Sequence, residues 1–108
     1  MSLYEHVLIF KQDLSSSQLE TEISTHKELI KELGGEVVYE ESWGLRNLAY
    51  MIKDNRKAFY QFMNISMPSD ANKMIEAKLN LNQNVIRHLS IKVKEFDVTP
   101  TQLSKEPQ

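Results

Sequence analysis

The chain has 108 residues, enough for one domain with its own hydrophobic core and too few for two ordinary domains. It contains no cysteine, which excludes disulfides, thiolate metal sites and a cysteine nucleophile. No apolar run is long enough to span a membrane.

The net charge of −2 hides a strong asymmetry along the chain. Residues 1–45 carry nine acidic and three basic side chains, whereas residues 46–94 carry three acidic and nine basic ones. Because phosphate contacts depend on local cations, an overall acidic chain of this kind can still bind nucleic acid through its basic part. With so few charges, chance is the alternative explanation.

The N-terminal segment predicts a strand. Leu3 to Phe10 is rich in aromatic and branched residues and ends in four consecutive apolar ones, which is typical of a strand buried on both faces. No basic region precedes a long apolar core, so we do not expect a signal peptide.

The next segment predicts a helix with clear ends. Ser15 with Gln18, or Ser17 with Glu20, can form a capping box at its start. The pair Gly34-Gly35 ends it, because glycine adopts the left-handed conformation without strain. Its apolar face consists of residues spaced three and four apart, namely Leu19, Ile23, His26, Ile30 and Leu33.

A long hairpin arm is predicted in the middle of the chain. Its first strand runs from Glu36 to Ile52, with a bulge or bend at Gly44. A polar connector, Lys53 to Lys57, leads into a strand from Ala58 to Met67. Such a strand pair is long enough for part of it to project beyond the core towards a partner. On the second strand Phe59, Met63, Ile65 and Met67 share one face, and Tyr60 and Phe62 share the other.

The last two elements are a helix and a strand. Ser69 is the predicted N-cap of the helix, which ends near Leu81 in a run of polar residues. In the final strand, Val85, Leu89, Ile91 and Val93 are expected to be buried, and His88, Ser90, Lys92 and Lys94 to face water.

The element order β-α-β-β-α-β predicts an α+β fold of the ferredoxin-like type, with a four-stranded antiparallel sheet and two helices on one face. Its other face stays open unless a partner covers it. We expect one domain over residues 1–96 and a disordered tail over residues 97–108, where little can pack.

The residues for an enzyme or a metal centre are lacking. His26 lies on an apolar helix face, and His6 and His88 have no matching carboxylate, so we expect no metal and no cofactor. Glu40 and Glu41 are adjacent on a strand and point to opposite faces, so they cannot act as a pair. An acylphosphatase-like activity would need an arginine-bearing loop after the first strand, and none is present.

Cations and aromatic residues are interleaved on the predicted arm, and this combination suits RNA, whose phosphates and unpaired bases they contact. A solvated turn beside core aromatics would give the same pattern, and the residues alone leave these two interpretations about even. The cations are Arg46, Lys53, Arg56 and Lys57 on the arm and Arg87, Lys92 and Lys94 on the last strand, and the aromatic residues are Trp43, Tyr50, Phe59 and Tyr60.

The chain resembles the bacterial ribosomal protein S6 family over residues 3–94. The most specific match is Trp43-Gly-Leu-Arg-Asn-Leu-Ala-Tyr-Met-Ile52, supported by Tyr4-Glu5, Gly34-Gly35 and Asn84-Val-Ile-Arg-His-Leu-Ser-Ile-Lys92. Asn47 replaces a cation that is usual in the family, and Met51 replaces a proline.

The resemblance implies a structural, non-enzymatic component of the cytoplasmic ribosome, without a small-molecule substrate. Its partners would be small-subunit rRNA of the central domain and ribosomal protein S18. Arg46 and Arg87 would contact RNA, with Tyr4 and Lys92 as weaker candidates. The open sheet and the arm would form the protein-partner surface, for which we select Trp43, Leu48, Tyr50 and Tyr60. The alternative is a free regulatory or scaffold domain that self-associates through its open sheet.

Overall fold

The structure, a computed structural model, describes residues 1–96. The strands form one antiparallel sheet in the order β2-β3-β1-β4, which confirms the predicted ferredoxin-like α+β fold. The tail predicted for residues 97–108 lies outside the described residues, and neither helix described is long and apolar enough to cross a membrane. The elements are β1 Ser2–Lys11, α1 Ser16–Glu32, β2 Glu36–Ile52, β3 Asn55–Met67, α2 Ser69–Leu81 and β4 Val85–Val93.

Both helices cover the same face of the sheet, which we term the helix-covered face. Ile30 of α1 and Ile75 of α2 are fully buried in one cluster with Leu8 of β1. The predicted apolar face of β3 is confirmed, because Met63, Ile65 and Met67 join this cluster and Phe59 packs against it.

The caps of the two helices differ from each other. Ser15 caps α1 in a complete capping box with Gln18, so the first of the two predicted boxes is the one that forms. The predicted N-cap at Ser69 is wrong, because Pro68 occupies the cap position of α2 and offers no side-chain acceptor. The Ser69 hydroxyl instead lies 3.1 Å from the Ser2 hydroxyl of β1.

The predicted faces of β4 are wrong for His88, Leu89, Ser90 and Ile91, whereas Lys92 and Lys94 are exposed as expected. The register shifts where β1 passes from Ile9 to Phe10, and this adds one residue, Ile86, to β4. A slip of one residue moves every following side chain to the other face. Leu89 and Ile91 are consequently 54% and 48% exposed. Their neighbours His88 and Ser90 turn towards α2, where they hydrogen-bond Asn80 and Asn72.

The hairpin arm is joined by a tight turn. Lys53 and Asp54 both have positive φ, 48° and 67°, as in the two-residue turns that suit the twist of a hairpin. The strand β3 therefore begins at Asn55, so the longer connector predicted over Lys53–Lys57 is wrong.

The tip of the arm is tied to the body of the domain and does not project freely. The buried Asn55 amide donates to the carbonyls of Ile52 and Lys53, and its oxygen accepts from the Gln12 backbone. The Gln12 side chain in turn accepts from the Lys57 backbone. These bonds hold the turn against the end of β1, which fixes the position of the cations on the arm.

Candidate nucleic-acid and protein interface

The face of the sheet opposite the helices, which we term the open face, changes in character along its length. Acidic side chains lie towards one end and arginines towards the other, with apolar side chains between them. The strand register aligns three rows from β2 to β4: Tyr39, Asn64, Glu5 and Ile91; then Glu41, Phe62, Val7 and Leu89; then Gly44, Tyr60, Ile9 and Arg87.

A cluster of three aromatic rings lies on the open face. The bulge at Gly44, where φ is +74°, places the Trp43 ring over β3. The Trp43 ring stacks on Phe62 and Tyr60, with centroid distances of 5.7 Å and 6.0 Å. Phe62 is buried as a result, although it lies on the face that no helix covers. Trp43 itself is only 9% exposed, so most of its ring is used for packing and little is available to a partner.

The arginine end of the open face contains two of the predicted RNA contacts. Arg46 lies opposite Ala58, and its Nε donates to the Trp43 carbonyl at 3.1 Å. Arg87 is exposed on β4, and its Nη1 lies 3.5 Å from the Tyr50 hydroxyl. The contact between Tyr50 and Arg87 joins the arm to β4, although β2 and β4 are opposite edges of the sheet.

A small polar cavity of about 230 Å³ adjoins this contact. It lies where the turn of the arm meets the end of α2 and the start of β4, and it is lined by Lys53, Asn80, Arg87 and His88 among others. Two residues far apart in sequence, Lys53 and Arg87, are thus brought to one site. Such a pair of cations around a polar cavity can hold one anionic group of phosphate size.

The other predicted contacts are distributed differently. Arg56 and Lys57 are exposed beside the turn. Lys92 is exposed but lies opposite Tyr4, on the helix-covered face. Tyr4 is 4% exposed in the core, so the prediction that it contacts RNA does not agree with its position. Leu48 is half-buried and lies in the stretch between Asn47 and Ile52 where the register is irregular.

Three polar atoms on the open face are buried without a hydrogen-bond partner among the described residues: Asn64 Oδ1, Glu41 Oε1 and Trp43 Nε1. An unpaired buried acceptor or donor costs about 1–3 kcal/mol. The sequence offers one signal of this feature, which is the polar Asn64 within the otherwise apolar run Phe62 to Ile65 of β3. We did not select Asn64 or Glu41 from the sequence.

The histidines lie on the helix-covered face. His6 and His26 are buried and stacked, with their Nε2 atoms 3.0 Å apart. Burial, followed by the charges of His26 and His88, lowers the pKa of His6 to about 3. Burial and then His88 lower the pKa of His26 to about 4, against a smaller opposing effect of Glu22. In residues 1–96 no group of three or more His, Cys, Asp or Glu side chains is arranged to hold a metal ion.

Comparison with known proteins gives a consistent result. The family model of "Ribosomal protein S6" matches residues 3–92. Small ribosomal subunit protein bS6 of Methylobacterium radiotolerans is 41% identical over 98% of this chain and 69% of its own length. The corresponding protein of Zymomonas mobilis is also 41% identical, over 97% of this chain and 85% of its own length.

A solved structure shares the fold. The 30S ribosomal protein S6 from Thermotoga maritima superposes with a TM-score of 0.81, covering 85% of this chain and 87% of its own, at 20% identity. The family model and the curated relatives extend over nearly all of the described sheet and helices. On this basis the chain belongs to the ribosomal protein S6 family.

Proposed function

We propose that this protein is a structural component of the small ribosomal subunit in the cytoplasm that binds rRNA through the arginine end of its open face. The observation that supports this most directly is the arrangement of Arg46, Arg87 and the turn of the arm at one end of a face that no helix covers. Family membership supports the ribosomal setting.

Binding to RNA would be mainly electrostatic. Guanidinium groups form paired hydrogen bonds with phosphate oxygens, so Arg46 and Arg87 would position the backbone of the RNA. One phosphate would occupy the cavity between Lys53 and Arg87. The exposed Tyr50 ring, whose hydroxyl meets Arg87, is placed to stack on an unpaired base. Arg56 and Lys57 beside the turn would add long-range attraction.

The protein partner would be ribosomal protein S18, as the family resemblance implies. The apolar centre and acidic end of the open face suit a basic protein with apolar side chains, and Leu89 and Ile91 are exposed aliphatic groups there. Tyr60, half-buried between the apolar and arginine ends, would lie at the border of the two partners.

Reconstitution tests the RNA proposal. Central-domain rRNA and S18 are mixed with this protein, and affinity is measured over a range of salt concentrations. Arg46→Ala should weaken binding and lower the slope of log affinity against log salt by about one. Lys73→Ala is the control, because Lys73 is exposed on α2, on the other side of the sheet. Unchanged affinity and an unchanged slope for Arg46→Ala would show that Arg46 does not contact the RNA.

A free domain that self-associates is the second candidate. The exposed Leu89 and Ile91 on an uncovered face favour it. Sucrose-gradient fractionation of a lysate separates the two functions, because a ribosomal protein sediments with the small subunit, whereas a free regulator stays near the top of the gradient. Sedimentation only near the top would contradict the ribosomal function.

A further inference from the structure

The acidic end of the open face contains a set of acceptors that the domain itself leaves unpaired. Asn64 is 6% exposed, and its Oδ1 has no hydrogen-bond partner in the part of the chain that the structure describes. Oε1 of Glu41, on the neighbouring strand, is also buried and has no hydrogen-bond partner in that part of the chain. Buried acceptors of this kind are rare because folding removes their water without replacing it.

The register places these acceptors close together. Asn64 lies one row from Glu41 on adjacent strands, so the two side chains are diagonal neighbours, about 7 Å apart. Glu5 lies directly opposite Asn64 on the other neighbouring strand. Desolvation, then the charge of the Glu41 carboxylate and a hydrogen bond to it, raise the pKa of the Tyr39 phenol. Glu41 therefore lies close to that ring, and only its Oε1 is without a partner among the described residues. We term Glu5, Glu41 and Asn64 the acceptor site.

We propose that the acceptor site receives a lysine or arginine side chain of a protein partner. Two carboxylates beside a buried amide oxygen require a cationic group with several N–H donors, and arginine can meet two acceptors at once. Phosphates are disfavoured here, because Glu5 and Glu41 would repel them, so the occupant is a protein and not RNA.

The surroundings of the acceptor site define this partner further. Ile91 lies in the row of Asn64 and Glu5, and Val7 and Leu89 lie in the row of Glu41. The Trp43 Nε1 donor nearby is also unpaired within residues 1–96. A partner segment that fits therefore has a cation flanked by apolar side chains and a backbone carbonyl within reach of the indole.

This inference rests on the proposed function, since it names the group that the protein partner contributes. It predicts opposite effects on stability and on binding. Asn64→Leu replaces an unpaired polar side chain by an apolar one of similar size, which should stabilise the isolated protein while it removes a partner contact. A residue with only a structural role would not show this combination.

The experiment measures the affinity of purified S18 and the melting temperature of the free protein for four forms of the chain. We expect Asn64→Leu to weaken S18 binding at least tenfold and to raise the melting temperature by about 4 °C. We expect Glu41→Gln to weaken binding by a similar factor. Glu20→Gln, on the exposed side of α1, is the matched control and should bind as the wild type does.

The outcomes separate the two proposals. If the wild type binds S18 and both variants bind equally well, the acceptor site is wrong and the partnership stands. If Asn64→Leu lowers the melting temperature and leaves affinity unchanged, Asn64 is a structural residue and the acceptor site is again wrong. If the wild type does not bind S18, both proposals fail. If sedimentation shows a dimer that Asn64→Leu and Glu41→Gln dissociate, a second copy is the occupant, which overturns the assignment to a different protein.

Discussion

The two faces of the sheet differ in what lies against their buried polar groups. On the helix-covered face, Ser90 and His88 bond to Asn72 and Asn80 of α2, and His6 pairs with His26 of α1. On the open face, Asn64 and Glu41 have buried acceptors without partners among the described residues. The helix-covered face also has unpaired buried atoms, namely His6 Nδ1, Gln61 Oε1 and His88 Nδ1. The helices shield these atoms from any partner, whereas a partner protein can still reach the unpaired atoms of the open face.

The difference between the two faces indicates which residues contribute to binding. A buried acceptor that is unpaired in the free domain makes folding less favourable, and the same acceptor contributes to affinity when a partner supplies the donor. The covered face should therefore determine stability, and the open face should determine association. The following predictions test this division.

The largest expected effect comes from a pair of identical substitutions on the two faces. Ile75→Ala on α2 empties a fully buried position and should lower the free energy of unfolding by about 2–5 kcal/mol. Ile91→Ala on the open face should lower it by less than about 1 kcal/mol, because that side chain is half-exposed. Urea denaturation measures both values.

The same two variants should rank in the opposite order for their effect on binding affinity. Ile91→Ala should weaken binding to S18, whereas Ile75→Ala, while still folded, should bind as the wild type does. Equal losses of stability for the two variants would contradict the division between the faces.

The next largest effect concerns acid. His6 and His26 have folded-state pKa values of about 3 and about 4, below the ordinary value of 6.5. Between those values and pH 6.5, the unfolded chain binds protons that the folded chain does not. The contribution of the two neutral histidines to the free energy of unfolding is therefore complete above pH 6.5 and is lost as the pH falls. Each histidine should then lower the free energy of unfolding by about 1.4 kcal/mol for each pH unit below 6.5.

Urea denaturation at pH 7 and pH 5 measures this loss, which should reach about 4 kcal/mol for the two histidines together. His6→Leu is the control variant. It removes one titrating group and should roughly halve the pH dependence, whatever its effect at pH 7. An unchanged slope in His6→Leu would show that carboxylates, and not this pair, cause the acid sensitivity.

The sequence was sufficient for the order and type of the elements, because these follow from local patterns. The spacing of apolar residues predicts α1, and Gly34 marks its end with φ of +85°. The family motif around Trp43 led to the same fold. None of these signals depends on the exact register of the strands.

The faces of the strands were less predictable, because each bulge reverses the alternation that follows it. One extra residue at Ile86 moves Leu89 and Ile91 to the open face, and the bulge before Gly44 brings Trp43 over Phe62. Bulges have no reliable sequence signal unless a glycine marks them. For this reason the arginines could be selected from the sequence, whereas the buried acceptors at the other end of the open face could not.

The smallest expected effect concerns the cavity between Lys53 and Arg87, where the turn of the arm meets the end of α2 and the start of β4. If both cations hold the same phosphate, either one alone still neutralises most of its charge. Lys53→Met and Arg87→Met should then each change the salt slope of rRNA affinity by less than half a unit, and the double variant should lower it by about one. If the two cations bind separate phosphates, each single variant should instead lower the slope by about one and the double variant by about two. Lys73→Met on α2 is the control and should leave the slope unchanged, so a double variant that loses two units would show that the turn and β4 contact the RNA independently.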